Sequence, residues 1–191
     1  MAEDSGHALK TLPTAISILA IVGLSLIWGY HWAVMKIGLY YCGALTYSAM
    51  RCILAGPMLL AFVRFQGRSI KLKSPGWAIL VGLVQTAGNF GIGAIAVKFG
   101  EAGRSAVLTY TMPFWVMVLS FVFLGDRAGP RRWIAAFLAM GGIMVVAFAS
   151  GRAQIGPVLL ALIAGVLWGA GTVLYQRALR AHDDEPTVFA G

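Results

Sequence analysis

Long apolar runs recur six times along the chain, separated by short polar or charged segments. They cover roughly residues 13–36, 44–63, 76–97, 104–124, 132–150 and 155–176. A helix needs about 20 mostly apolar residues to cross a bilayer, whereas runs of about 10–14 are more typical of a buried helix in a soluble protein. Helices pair every backbone polar group within the segment, and the period-2 alternation of membrane barrels is absent. The pattern predicts an all-α polytopic membrane protein with six transmembrane helices.

Composition supports the membrane prediction. Apolar residues make up 59% of the chain, charged residues only 12%, and the mean hydropathy is +0.80. Soluble domains carry about 25% charged residues. The first run is longer than the apolar core of a signal peptide, and no small-x-small cleavage site follows it in a polar stretch, so we do not expect it to be a cleavable signal. The expected surroundings of the chain are therefore a lipid bilayer.

The net charge of +8 could indicate a nucleic-acid partner, but the positions of the charges argue against one. With a cytoplasmic N-terminus, an excess of Lys and Arg falls on the cytoplasmic side, as the positive-inside rule requires. We therefore predict no nucleic-acid partner, a cell (inner or plasma) membrane location, and both ends of this chain in the cytoplasm. The cytoplasmic set is Lys10, Arg64, Arg68, Lys71, Lys73, Arg127, Arg131, Arg132, Arg177 and Arg180; the outer set is Lys36, Lys98, Arg104 and Arg152.

The first and sixth apolar runs contain the same motif, displaced by 140 positions. Trp28-Gly29 in the first run corresponds to Trp168-Gly169 in the sixth. An odd number of spans separates two such copies, so the copies would lie in the membrane in opposite orientations. Inverted repeats of this kind are typical of secondary transporters.

The position of the second copy predicts how the chain is organised. Residues 1–150 would form a first five-helix repeat, and residues 151–191 would begin a second, inverted and incomplete one. The chain is then either a fragment or a truncated protein. In either case it could need a second copy, or the missing C-terminal half, as a partner.

Short motifs follow one another from the first span to the sixth: Trp28-Gly29, Arg51, Ala102-Gly103-Arg104-Ser105-Ala106, Pro113, Phe123-Leu124-Gly125-Asp126-Arg127, Gly141-Gly142-Ile143 and Trp168-Gly169. In this order they resemble the EamA-like family of the drug/metabolite transporter superfamily, although Asp126 stands where that family usually has Glu. The resemblance implies that the chain is the first half of a ten-helix inverted-repeat carrier. Such a carrier exports or exchanges small organic metabolites, such as amino acids or drug-like solutes, by alternating access.

Polar side chains inside the spans are expensive to expose to lipid, so they should face protein or a water-filled cavity. Aromatic side chains that share their helix faces could form walls of the same cavity. For Gln85 and Asn89 the alternative is hydrogen bonding between helices, and for Trp28 and Trp168 it is packing in the core. The candidate substrate pathway comprises Trp28, His31, Trp32, Arg51, Gln85, Asn89, Thr109, Tyr110, Trp168 and Thr172.

Two of these candidates carry titratable or permanent charge. Arg51 could hold a substrate carboxylate, or its long side chain could extend to the membrane surface. His31 could hydrogen-bond a substrate, or it could simply be a satisfied packing residue.

Glycines and prolines mark expected close contacts and bends. Gly29 and Gly169 each follow another small residue by four positions, so each should let a neighbouring helix approach closely. Pro113 is expected to kink the fourth span, because Pro lacks an N–H and clashes with the preceding turn. Pro57 could do the same in the second span, although Pro is also tolerated in ordinary membrane helices. At Pro113 the bend would free the carbonyl of Thr109.

The sequence offers no catalytic set, so we predict that the chain is not an enzyme. No Asp or Glu lies within a span, no phosphate-binding loop is present, and Cys42 and Cys52 form no metal-binding pattern. We expect neither a cofactor nor a metal. The alternatives to a carrier are a membrane-embedded enzyme and a non-transporting assembly or scaffold subunit.

Overall fold

The computed structural model describes residues 14–67, 74–149, 151 and 154–182. Within these residues the chain is helical, without strands, and six helical segments are long and apolar enough to cross a membrane. This confirms the predicted number of spans. The spans are Ile16–Tyr41, Ala44–Phe65, Pro75–Phe99, Ala102–Leu124, Pro130–Phe148 and Ile155–Ala181.

Two of the six spans are interrupted, so the described residues form eight α-helices. The first, second, fifth and sixth spans are single helices; the third and fourth each contain two. The helices are α1 (Thr14–Tyr41), α2 (Ala44–Phe65), α3 (Pro75–Val81), α4 (Asn89–Phe99), α5 (Ala102–Thr109), α6 (Met112–Leu124), α7 (Pro130–Phe148) and α8 (Ile155–His182).

The third span changes its helical form in the middle. Between α3 and α4 the segment Gly82–Gly88 is a π-helix, whose hydrogen bonds join residues five apart. Gln85, within this segment, and Asn89, just after it, both hydrogen-bond to α8. Thr86 is exposed, whereas Asn89 is buried. The sequence pattern did not predict this segment.

The fourth span breaks at Tyr110 and Thr111, between α5 and α6. Pro113 lies in the first turn of α6, where a missing N–H costs nothing. The fourth span is thus interrupted just before this proline. By contrast, α2 runs without a break through Pro57.

Helix α8 is the centre of the packing. It contacts α3, the π-helical segment and α4 of the third span, and α5 and α6 of the fourth. Ala161 and Ala164 of α8 are fully buried. Helix α1 is the opposite case, since many of its large apolar side chains are exposed, Leu19 at 70% among them.

Helices α1 and α8 run in opposite directions. Near the end of α1, Lys36 donates a hydrogen bond to the carbonyl of Gly100, and a Cβ atom on Gly100 would meet Pro157 near the start of α8. Near the end of α8, Arg180 forms an ion pair of 2.8 Å with Asp126, which follows α6. We call these two ends of the molecule the Lys36 end and the Arg180 end. Opposite directions are what the predicted inversion requires of its two copies.

The described cations divide unequally between the two ends. Several charged positions of the predicted asymmetry, Lys10, Arg68, Lys71, Lys73 and Arg152, lie outside the described residues. Among the described ones, Lys36, Lys98 and Arg104 lie at the Lys36 end, while Arg64, Arg127, Arg131, Arg132, Arg177 and Arg180 lie at the Arg180 end.

Candidate functional site

A cavity of about 270 Å³ opens among α1, α2, α4, α5, α6 and α8. It brings together eight of the ten predicted pathway residues, from five different helices and the break in the fourth span. Its lining comprises Ile27, Trp28, His31, Trp32, Met35, Arg51, Asn89, Phe90, Gly93, Ala94, Thr109, Tyr110, Met112 and Trp168.

The break between α5 and α6 places Tyr110 against α1. The indole N–H of Trp32 donates a hydrogen bond of 3.2 Å to the Tyr110 hydroxyl, and the two rings meet edge to face with centroids 6.2 Å apart. The Thr109 hydroxyl donates to the carbonyl of Ser105 within α5, at 2.8 Å. The break therefore turns an aromatic ring into the cavity while the buried hydroxyl beside it stays satisfied.

Arg51 brings a positive charge to the cavity from α2. Its guanidinium carbon lies 4.6 Å from the ring centroid of Phe90 and 5.9 Å from that of Tyr47. Both distances fall within the range of cation–π attraction. The rings stabilise the charge inside the span, and the long side chain is held next to α4.

Asn89 both lines the cavity and joins two helices. Its amide N–H donates a hydrogen bond of 2.7 Å to the carbonyl of Ala164 in α8. The two predicted roles of this residue, hydrogen bonding between helices and lining a cavity, are therefore compatible.

Gln85 and Thr172 are the two predicted pathway residues that do not line this cavity. They contact each other instead, since the Gln85 amide N–H donates to the Thr172 hydroxyl at 3.4 Å. Thr172 also donates to the carbonyl of Trp168, one turn earlier in α8. The pair connects the π-helical segment to α8. A Cβ atom on Gly171 would collide with Gln85, so the two backbones approach closely here.

The two glycines of the repeated motif have different surroundings. A Cβ atom on Gly169 would lie 2.9 Å from the Cβ of Trp115 and 3.1 Å from the backbone N of Val116, so α6 packs directly against this glycine. A Cβ atom on Gly29 would meet nothing within 4 Å. Gly169 therefore packs closely against α6, whereas the described helices leave the face of α1 at Gly29 open.

The sequence analysis did not predict some of the lining residues, because they are apolar side chains within an apolar run. Met35, Phe90 and Met112 look like ordinary membrane-facing side chains until the helices are assembled. The pairing of Lys36 with α4 was also missed. Among the described residues, no group of three His, Cys, Asp or Glu side chains lies close enough together to hold a metal ion.

A second, smaller cavity of about 180 Å³ lies at the Lys36 end. Arg104 and Glu101 lie along it, with a contact of 3.5 Å between a guanidinium nitrogen and a carboxylate oxygen. This cavity is separate from the one that holds the predicted pathway residues.

Comparison with known proteins finds several membrane transporters similar to this chain. The chain is 27% identical to "Uncharacterized transporter YoaV" of Bacillus subtilis over 87% of its own length and 59% of that protein's. It is 25% identical to a "Probable amino-acid metabolite efflux pump" of Salmonella typhimurium, over 92% of the chain and 56% of the pump. It is 28% identical to "Uncharacterized inner membrane transporter YedA" of Escherichia coli K12, over 83% of the chain and 52% of that protein.

The chain thus spans between half and three fifths of the length of these relatives. No solved structure matches it. The sequence model of the EamA-like transporter family matches residues 15–148, which covers the first five spans. The resemblance drawn from the motifs is confirmed: this multi-pass membrane protein belongs to the EamA-like transporter family, within the drug/metabolite transporter superfamily.

Proposed function

We propose that the chain supplies half of a secondary carrier, without catalytic activity, that exports or exchanges small organic metabolites by alternating access. The cavity of about 270 Å³ would be its substrate pathway. The observation that carries this proposal is that Trp28 and Trp168, equivalent positions of the repeated motif, line one cavity from two helices that run in opposite directions. In inverted-repeat carriers the substrate binds near the midplane, where the two repeats meet.

The orientation and the partner belong to the same proposal. The larger share of cations at the Arg180 end supports a cytoplasmic position for that end, and so for both termini, in a cell membrane. The open face of α1 around Gly29 supports a further set of helices on this side, from a second copy or from a C-terminal half.

Flux through the cavity tests the function. The chain would be purified together with any second copy or partner subunit that it retains, the assembly reconstituted into proteoliposomes, and counterflow of tritiated amino acids and aromatic carboxylates measured. In a background with Cys42→Ser and Cys52→Ala, Ile27→Cys puts a thiol at the cavity, and N-ethylmaleimide should then abolish flux. The matched control is Leu19→Cys, on an exposed part of the same helix, where the reagent should leave flux unchanged.

The outcomes separate the carrier from its alternative. Flux that is equally sensitive at both cysteines, or insensitive at both, would contradict the assigned pathway. Absence of flux for every solute, together with stable retention of another membrane protein on the purified chain, would favour a scaffold subunit.

A further inference from the structure

The cavity carries a positive charge that no acidic side chain among the described residues offsets. Arg51 lines it, and no Asp or Glu does. The acidic residues that the structure describes are Glu101 and Asp126, which form ion pairs with Arg104 and Arg180. None of the six spans contains an Asp or Glu, and none lines the cavity. A negatively charged solute would therefore find Arg51 as its partner here, and a cationic solute would be repelled.

The contacts of Arg51 suit it to bind an anion. Cation–π contacts with Phe90 and Tyr47 stabilise the guanidinium without using its N–H donors. A carboxylate can accept two of those donors side by side, which is a geometry that Arg offers and Lys does not. Inside a span, where water is scarce, such a charge-assisted pair is stronger than it would be in solution.

The rest of the lining favours a flat apolar body. Trp28, Trp32, Tyr110 and Trp168 present aromatic rings, and Met35 and Met112 add polarizable side chains that adapt to different shapes. The N–H of Trp32 is already bonded to Tyr110, so this indole offers its ring. A volume of about 270 Å³ lies just below the roughly 300–1,000 Å³ typical of sites for drug-sized ligands. The space suits one or two fused rings.

We propose that the transported solute is a small organic anion, whose carboxylate binds Arg51 and whose aromatic body packs among Trp28, Trp32 and Trp168. This assignment of a substrate class rests on the proposed carrier function of the same cavity. It distinguishes a monoanionic aromatic acid from a neutral or cationic solute of the same shape.

Three probes with one ring system test the charge preference directly. Indole-3-acetate, indole-3-acetamide and tryptamine carry a negative, a neutral and a positive side chain. Tritiated indole-3-acetate would be bound to the full chain in lipid nanodiscs and displaced by each unlabelled probe. We expect the acid to bind at least about tenfold more tightly than the amide, as one charge-assisted contact supplies, and the amine to displace it least.

Variants at Arg51 attribute the preference to this residue. Arg51→Gln should remove the tenfold advantage of the acid, because it lowers the affinity for the acid much more than the affinity for the amide. Arg51→Lys should keep part of the advantage, because it keeps the charge and loses the bidentate geometry. A melting curve of each variant in nanodiscs checks folding. If Arg51→Gln fails to fold, the ranking of the three probes on the unmodified chain decides alone.

Each outcome supports or overturns the assignment. Three results would each overturn the anion assignment: equal binding of acid and amide, tightest binding of the amine, or an acid preference that survives in folded Arg51→Gln. If a neutral or cationic solute were then transported, and its flux blocked at Ile27→Cys, the carrier function would still stand. Failure of all three probes to bind would overturn the anion assignment, and failure of flux as well would overturn the carrier function.

Discussion

Lys36 and Lys98 each cap the helix that carries the other. The ammonium group of Lys36 in α1 donates hydrogen bonds to the carbonyls of Val97 at 2.7 Å, Lys98 at 3.1 Å and Gly100 at 2.7 Å, at the end of α4. Lys98 donates in return to the carbonyl of Cys42 at 2.8 Å, just past the end of α1. The last carbonyls of a helix have no partner within it, and the negative end of its dipole favours a cation. The two lysines thus fasten α1 to the third span.

Replacing Lys36 should loosen this junction. Lys36→Met keeps most of the apolar stem but removes all three donors. We expect a loss of about 2 kcal/mol, because hydrogen bonds to charged groups contribute about 1.5–3 kcal/mol, and a fall of roughly 4–8 °C in the melting temperature. Lys98→Met, which removes one donor contact, should cost less. Equal stability of Lys36→Met and the parent in detergent melting curves would contradict the double cap.

The two motif glycines should respond differently to enlargement. Gly169→Leu forces a side chain into the backbone of α6, and overpacking of this kind typically costs about 1–3 kcal/mol or more. Gly29→Leu adds its side chain to open space and should leave the melting temperature of this chain unchanged. Size-exclusion profiles and melting curves of the matched pair provide the measurement. A destabilised Gly29→Leu with an intact Gly169→Leu would reverse the packing assigned here.

Asn89 should contribute to both stability and binding. Asn89→Leu removes the hydrogen bond to Ala164, and such bonds in membranes contribute about 0.6 kcal/mol on average and up to about 1.7 kcal/mol. We therefore expect a small fall in melting temperature and a weaker affinity for the solute. Gln85→Leu is the control outside the cavity, since it should affect stability alone. Unchanged solute affinity in a folded Asn89→Leu would remove Asn89 from the pathway and leave it as a link between helices.

The orientation in the membrane can be tested at two glycines. A Cβ atom on Gly103, at the Lys36 end, or on Gly129, at the Arg180 end, would meet nothing within 4 Å, so cysteine should fit at both. In a cysteine-free background, a membrane-impermeant maleimide added to intact cells should label Gly103→Cys and not Gly129→Cys. Labelling of position 129 from outside would place the Arg180 end outside and contradict the charge asymmetry.

The apolar runs were enough to predict the spans, because membrane helices are defined by length and hydrophobicity alone. They could not predict the π-helical segment Gly82–Gly88, since its residues would serve equally well in an α-helix; its contacts with α8 become visible only in the assembled structure. The break at Tyr110 was signalled by Pro113, although the sequence could not distinguish a kink from an interruption.

The candidate cavity was predicted largely by placing polar and aromatic side chains on shared helix faces. That reasoning selected Arg51 and Asn89, whose cost in lipid marks them, and Trp28, which shares its helix face with Trp32. It failed where a side chain is unremarkable by itself: Met112, the first residue of α6 after the break in the fourth span, joins the lining. At Gly29 it could not say which helix would come close, since small size permits a close contact without requiring one.

The central position of α8 has a consequence for biogenesis. The third and fourth spans contact α8 more extensively than they contact each other. Because α8 is synthesised after them, both spans enter the bilayer before the helix that joins them exists. We expect the first five spans, α1 to α7, to stay loosely associated at the ribosome, accessible to membrane proteases, until α8 inserts. Commitment to the assembled state would then coincide with the insertion of this one helix, so mutations in α8 should shorten the lifetime of the nascent protein more than mutations in the exposed α1.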